Sequence, residues 1–173
     1  MKTTQLPDFL IADLYKNSLI ITEEEPKIEK HAPKAEKPAV ERQWYLGSNL
    51  QKITLLVNEK EAVYLKEDSL QFLSAILGAC KLNLGDVAIV NYHRDSIGYI
   101  DIKQQLNPVY FLLFGVTAKE VKLPFTVPYY QVQQYDNCQF LLCPALDYML
   151  GTSQEAKLEK SKLWLSLKKM FGI

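Results

Sequence analysis

The sequence has no net charge and no long apolar stretch. Lys and Arg total 20 among the 173 residues, and Asp and Glu also total 20. A neutral chain has no overall attraction for nucleic acid or anionic lipid, so binding to either requires a local basic patch. No apolar run approaches the roughly 18 residues of a membrane span, and the first residues do not resemble a secretory signal. These absences predict a soluble cytoplasmic protein without a membrane partner.

Cysteine is scarce, with three residues at Cys80, Cys138 and Cys143. An odd number of thiols without a paired framework is typical of a reducing compartment. Cys138 and Cys143 lie five positions apart in a predicted strand, which places them on opposite faces. They are therefore poorly placed to share a metal ion. We predict buried structural thiols, no metal and no cofactor.

The chain divides by composition into three parts. Residues 1–22 are apolar, residues 23–43 form a charged, proline-containing linker, and residues 44–173 have the composition of a folded domain. A short apolar segment on a flexible tether is a common way to dock into a groove on a partner protein. Its candidate partner-binding side chains are Phe9, Leu10, Leu14 and Tyr15. The alternative is that these side chains pack onto the chain's own core.

The folded part alternates strand and helix patterns. Four apolar runs have the character of strands buried on both faces, namely Ile53–Val57, Val87–Asn91, Val109–Phe114 and Cys138–Cys143. Helical patterns cover residues 68–81, 101–106 and 152–171, and two of them begin with predicted capping boxes, Asp68 with Gln71 and Thr152 with Glu155. The alternation predicts a parallel sheet covered by helices on both faces.

Three segments resemble the uracil-DNA glycosylase superfamily. VAIVNYHRDS resembles the strand that delivers an asparagine, here Asn91, and PVYFLLFGVTAKEV resembles the strand followed by glycine and a Thr-Ala helix start. CQFLLCPALDYML with KSKLWLSLKKM resembles the closing strand, the proline-led turn and the terminal helix. The resemblance implies a three-layer α/β/α fold with a central four-stranded parallel sheet in the order 2-1-3-4.

The same segments resemble the psi subunit of the bacterial DNA polymerase III clamp loader, a non-catalytic member of this fold. In that family a mobile N-terminal peptide binds the clamp-loader collar, and the globular domain holds the chi subunit. The resemblance implies an adaptor that links replication proteins through residues 1–22 and the globular domain. The spacer in this chain is longer and more charged than the family leads us to expect.

The turns that carry catalysis in the glycosylases are not recognisable here. The loop after the first strand, Asn58–Ala62, has no glycine or proline that would let its backbone approach a base. Cys143-Pro144-Ala145 stands where the family has a His-Pro-Ser turn, and a thiol is a weak donor. We therefore expect no catalytic residue. The alternative is a divergent glycosylase or nucleotide-acting hydrolase that uses Glu59 or Glu61 with His93.

Ligands of open α/β sheets bind beyond the carboxyl ends of the strands. The candidate residues at that edge are Asn58, Glu59, Asn91, His93 and Cys143. They are consistent with a small polar site or with solvated loops, and Asn91 is also suited to cap its own turn.

The last predicted helix carries possible phosphate contacts at Lys157, Lys160, Lys168 and Lys169. These lysines make a DNA-binding module a further alternative function. Lysines late in a helix also complement the helix dipole and keep the surface solvated, so a structural role explains them as well.

Overall fold

The computed structural model describes residues 43–173. The predicted docking segment with Phe9, Leu10, Leu14 and Tyr15, and the predicted linker up to residue 42, lie outside the described residues. The described part is an α/β structure, which confirms the predicted class.

The strands within the described part are short. They are β1 (Tyr45–Gly47), β2 (Ile53–Val57), β3 (Val87–Asn91), β4 (Tyr110–Phe114), β5 (Val132–Tyr135) and β6 (Cys138–Cys143). The helices are α1 (Glu67–Ala79), α2 (Tyr99–Leu106) and α3 (Gln154–Phe171), and a 3-10 helix covers Leu146–Met149. Between residues 43 and 173 no helix has the length and apolar character needed to cross a membrane.

The sheet has six strands in the order β1-β3-β2-β4-β6-β5. Its four inner strands run parallel, whereas β1 and β5 are antiparallel to their neighbours. The prediction of a four-stranded, purely parallel sheet is therefore corrected to a six-stranded mixed sheet. The two outer strands lack the apolar run that indicates a buried strand, because β1 has only three residues and β5 reads VQQY.

Helices cover both faces of the sheet. Alternate strand residues point to opposite faces, so Leu55 packs with α1 and α3 while its neighbour Leu56 packs with α2. The segment 116–127 joins α2 in covering the second face. Every residue of β2 and β3 is buried, as the continuous apolar pattern predicts for strands enclosed on both sides.

Both predicted capping boxes are wrong, although the helices exist. The N-cap of α1 is Lys66, which makes no side-chain cap, and Asp68 lies inside the first turn. The N-cap of α3 is Ser153, whose Oγ accepts a hydrogen bond from the backbone N–H of Ala156 at 3.1 Å. Thr152 lies one residue before it. A cap depends on where the incoming chain turns, and neighbouring polar residues compete for that position.

Candidate functional site

The carboxyl ends of the four parallel strands are the first place to look for a site. Asn58 and Glu59 directly follow β2, Asn91 ends β3, and Cys143 ends β6. Asn58 and His93 are exposed, whereas Glu59, Asn91 and Cys143 are buried. The five candidate residues therefore differ in their access to a ligand.

The side chain of Asn91 is occupied by the chain itself. Its Nδ2 group donates to the backbone oxygens of Glu59, Ala62 and Val63 at 2.8, 3.0 and 3.2 Å. Its Oδ1 accepts from the backbone N–H groups of Glu59 at 3.0 Å and His93 at 3.2 Å. Asn91 thus fixes the β2–α1 loop onto the end of β3 and also caps its own turn. Its amide has no spare hydrogen-bonding group for a ligand.

The carboxylate of Glu59 is held by neighbours in the same loop. Its Oε1 accepts a hydrogen bond from the backbone N–H of Glu61 at 3.1 Å, and the Nζ of Lys66 lies 3.6 Å away. Lys66 also pairs with the exposed Glu61 at 3.2 Å. The hydrogen bond to Glu61, together with the charges of both glutamates, raises the pKa of Lys66. Lys66 therefore holds the carboxylates of Glu59 and Glu61 together in this loop.

A small cavity lies between the ends of β2 and β4 and the start of α1. It holds about 10 Å³ for the centre of a water-sized sphere, which corresponds to room for roughly one water molecule. Leu65, Phe114 and Leu146 line it together with Asn58 and Glu59, and Ser69 also contributes to the wall. A nucleobase needs far more space than this edge offers.

The turn after β6 closes the cavity from the other side. Gly115, which follows β4, donates its backbone N–H to the carbonyl of Cys143 at 3.1 Å. A Cβ atom on Gly115 would lie 2.8 Å from the Cβ of Ala145. The two loops therefore touch, and the 3-10 helix that follows brings Leu146 over the edge.

Cys143 faces the core rather than a ligand. It is fully buried with α1 and α3, and burial raises the pKa of its thiol well above the ordinary value. Cys138 packs on the opposite face, where burial raises its thiol pKa to about 12. The prediction that the two cysteines point to opposite faces is confirmed. Within residues 43–173, no three His, Cys, Asp or Glu side chains are placed to hold a metal ion together.

His93 is attached to the site only through its backbone. Its N–H donates to Asn91, while its side chain is exposed and does not line the cavity. Asn58 and Glu59 therefore line the cavity, and Asn91 is hydrogen-bonded to the backbone of Glu59 without lining it. The side chains of His93 and Cys143 also lie outside the cavity.

The lysines of α3 differ in their surroundings. Lys157, Lys168 and Lys169 are exposed, and the Nζ of Lys168 lies 5.8 Å from the centre of the Trp164 ring. Lys160 is half-buried and its Nζ donates to the carbonyl of Gly151 at 2.9 Å. At least Lys160 therefore has a structural role at the start of the helix, while the other three remain open to solvent.

Sequence reasoning missed Ser69 and Leu146 as parts of this edge. Ser69 lies in the first turn of α1, and its buried Oγ has no hydrogen-bond partner among the described residues. Leu146 begins the 3-10 helix that crosses the ends of the strands. Neither has a local signal, because their positions depend on how distant loops meet.

No protein-family model matches the chain, and no curated protein matches it significantly.

Proposed function

We propose that this chain is a non-catalytic adaptor with a uracil-DNA-glycosylase-like domain, similar to the psi subunit, that links replication proteins. The sequence resemblance supports the choice of replication partners. The order of the four parallel strands supports the glycosylase-like layout, because β3 lies beside β2 and is followed across the sheet by β4 and β6. The two antiparallel outer strands are additions that the resemblance does not imply.

The observation that carries the proposal is how the carboxyl edge of the sheet is occupied. A glycosylase must hold an extruded base in a pocket and stabilise charge on it with positioned polar groups. Here the side-chain amide of Asn91 is hydrogen-bonded to the backbone of the β2–α1 loop. Leu65, Phe114 and Leu146 line a cavity large enough for about one water molecule. These contacts favour a structural use of the edge.

The adaptor function is tested with a purified clamp-loader complex in a pull-down experiment. We expect the full chain to retain the complex and a chain of residues 23–173 to lose it. The double variant Phe9→Ala with Leu14→Ala should lose capture as the truncation does, because it removes apolar anchors. A Lys16→Ala control should capture normally. Unchanged capture after truncation would remove the docking role of residues 1–22.

One observation favours a second candidate, a divergent DNA glycosylase. Glu59 and Ser69 both line the cavity, the buried hydroxyl of Ser69 has no hydrogen-bond partner among the described residues, and a rearranged loop would present both side chains to a substrate. This candidate predicts release of free uracil from uracil-containing DNA. A Glu59→Gln variant should abolish that release, whereas the Glu61→Gln variant should retain it because Glu61 does not line the cavity.

A further inference from the structure

The strand β5 forms one lateral border of the sheet. It pairs with β6 only, through Val132 with Leu141 and Tyr135 with Cys138. A two-residue turn, Asp136-Asn137, joins the two strands, and both turn residues have positive φ values of 53° and 58°. This is the turn geometry that matches the natural twist of a hairpin, so β5 is held firmly against β6.

The outer side of β5 presents backbone groups to solvent. In a hairpin with a two-residue turn the closing pair is hydrogen-bonded, so Tyr135 and Gln133 direct their N–H and C=O groups to β6. Val132 and Gln134 alternate with them and direct theirs outward. No hydrogen bond within residues 43–173 reaches these outward groups from outside the sheet. They are available to pair with another strand.

Edge strands are usually protected against pairing by short length, charge, proline or a bulge. The strand β5 is short, with four residues, but its sequence Val-Gln-Gln-Tyr contains no charged residue or proline, and its pairing with β6 has no bulge. The opposite border of the sheet differs, because β1 has only three residues and ends at Gly47 with φ +106°. β5 is therefore the border that is better suited to accept an added strand.

Two open clefts lie beside β5 on the face covered by α2. The first holds about 440 Å³ and is lined by Phe125 and Gln133 among others. The second holds about 410 Å³ and lies between α2 and the β5–β6 turn. Pro124 and Tyr135 contribute to both clefts, so they form the shared wall. Side chains two residues apart on an added strand lie about 7 Å apart on one face, which suits neighbouring clefts.

The second cleft has the chemistry to receive an anion. Lys103 and Lys122 line it, and Lys103 is paired with Asp136. Lys122 makes no ion pair with a described residue. Tyr99 also lines this cleft, but its side chain is only 4% exposed and its buried hydroxyl lies beside the thiol of Cys138, so Lys122 is the group that a ligand can reach. A carboxylate would pair with the ammonium group of Lys122.

We propose that β5 binds an extended segment of a partner protein as an added strand. An apolar side chain of that segment enters the cleft beside Phe125, and an acidic side chain two residues away meets Lys122. The inference deepens the proposed adaptor function and rests on it for the existence of a protein partner. It concerns a surface separate from residues 1–22, so each can be tested without the other.

The test uses the full chain and a defined probe, the peptide acetyl-TTTVTETT-amide, followed by amide NMR. We expect saturable shifts centred on Val132–Tyr135. A peptide with N-methyl groups on every backbone amide should not bind, since it has no N–H to donate to β5 from either of its edges. The lysine analogue, acetyl-TTTVTKTT-amide, should bind at least about threefold more weakly because it meets Lys122 with a like charge.

Two matched pairs of variants separate backbone pairing from charge. Gln134→Pro removes an outward N–H without touching the β6 ladder, and it should weaken binding about tenfold or more, while Gln134→Val should bind normally. Lys122→Glu should weaken binding about threefold to tenfold, whereas the exposed Lys119, which does not line the cleft, should tolerate the same change.

Three results would overturn the inference. The first is peptide binding that survives Gln134→Pro in a variant whose urea unfolding remains normal. The second is a set of NMR shifts that clusters away from β5. The third is a dimer in sedimentation experiments that Gln134→Pro dissociates, because β5 would then be paired with a second copy of the chain. Since no replication protein is present, failure here leaves clamp-loader capture by residues 1–22 unaffected.

Discussion

Two borders of the same sheet differ in how their polar groups are used. At the carboxyl edge, the side-chain amide of Asn91 is fully hydrogen-bonded to neighbouring backbone, and the adjoining cavity has room for about one water molecule. At the lateral border, β5 presents unpaired backbone groups beside two clefts of about 440 and 410 Å³. Contacts within the chain close the carboxyl edge, whereas among the described residues the outward backbone groups of β5 have no partner.

The difference shows that a favourable place in a fold does not by itself make a site. Open α/β sheets bind ligands at the carboxyl ends of their strands, and the sequence puts polar residues there. Whether those residues meet a ligand depends on what else reaches the edge. In this chain the β2–α1 loop and the turn after β6 occupy the carboxyl edge of the sheet.

The largest expected difference in unfolding free energy is between alanine substitutions at Asn91 and at Gln134. Asn91→Ala should lower the free energy of unfolding by about 3 kcal/mol, because it leaves several buried backbone groups without partners. Gln134→Ala on the exposed border should change the free energy by no more than about 0.5 kcal/mol. Urea unfolding monitored by circular dichroism measures both. Similar losses for the two variants would contradict the contrast between a closed and an open border.

Substitution of Gly115 tests whether the loop after β4 is in contact with the turn after β6. Gly115→Ala should cost about 2 kcal/mol, since the residue has φ +67° and its new Cβ would lie 2.8 Å from the Cβ of Ala145. Gly151→Ala is the matched control, because φ is +86° and no heavy atom lies within 4 Å of the new Cβ. It should cost about 1 kcal/mol from backbone strain alone. Equal losses would mean that the loops are not in contact.

Because the thiol of Cys143 at the end of β6 is buried, we expect the free energy of unfolding to depend on pH. Burial raises the pKa of Cys143 above the ordinary 9.0, so the folded state keeps its proton when the unfolded state has lost it. The stability contribution is complete below about pH 9 and declines above it, by about 1.4 kcal/mol per pH unit for each such thiol. Unfolding measured from pH 8 to 11 should therefore give a shallower decline for Cys143→Ala than for the natural chain.

Cys80 provides the control for that slope. Burial also raises its pKa, but by less, so Cys80→Ala should flatten the decline less than Cys143→Ala does. If the unfolding free energy declines with pH at the same rate in the natural chain and in both variants, Cys143 is open to solvent. That result would contradict a closed carboxyl edge.

The smallest effect concerns the start of α3, the helix that follows the 3-10 helix over the closed edge. Ser153→Ala should cost about 1 kcal/mol because the Oγ hydrogen bond to the Ala156 N–H is lost. Thr152→Ala should change the unfolding free energy by less than about 0.5 kcal/mol. A larger loss for Thr152→Ala than for Ser153→Ala in thermal or urea unfolding would support the predicted capping box of Thr152 with Glu155.

Apolar runs predict the inner part of the fold because burial on both faces leaves a local signature. Ile53–Val57 and Val87–Asn91 appear at the boundaries that the pattern indicates. The outer strands leave no such signature. β5 is polar on average, and it becomes a strand because the Asp136-Asn137 turn folds it back on β6.

The candidate site shows the same division between local and distant causes. The sequence places Asn91 at the end of a strand, and its side chain does cap the following turn. Its three hydrogen bonds to the backbone of residues 59–63 require the path of a loop about 30 positions earlier in the chain. The direction of the Cys143 side chain depends in the same way on the register between β6 and β4.

The contrast between the two borders is tested most directly by one set of amide NMR spectra of the full chain. Free uracil is added in one titration and the acetyl-TTTVTETT-amide peptide in another. We expect the amide signals of Asn58, Glu59 and Asn91 to stay unshifted with uracil, and those of Val132–Tyr135 to shift with the peptide. Shifts at Asn58, Glu59 and Asn91 with uracil, together with an unchanged β5, would contradict that contrast.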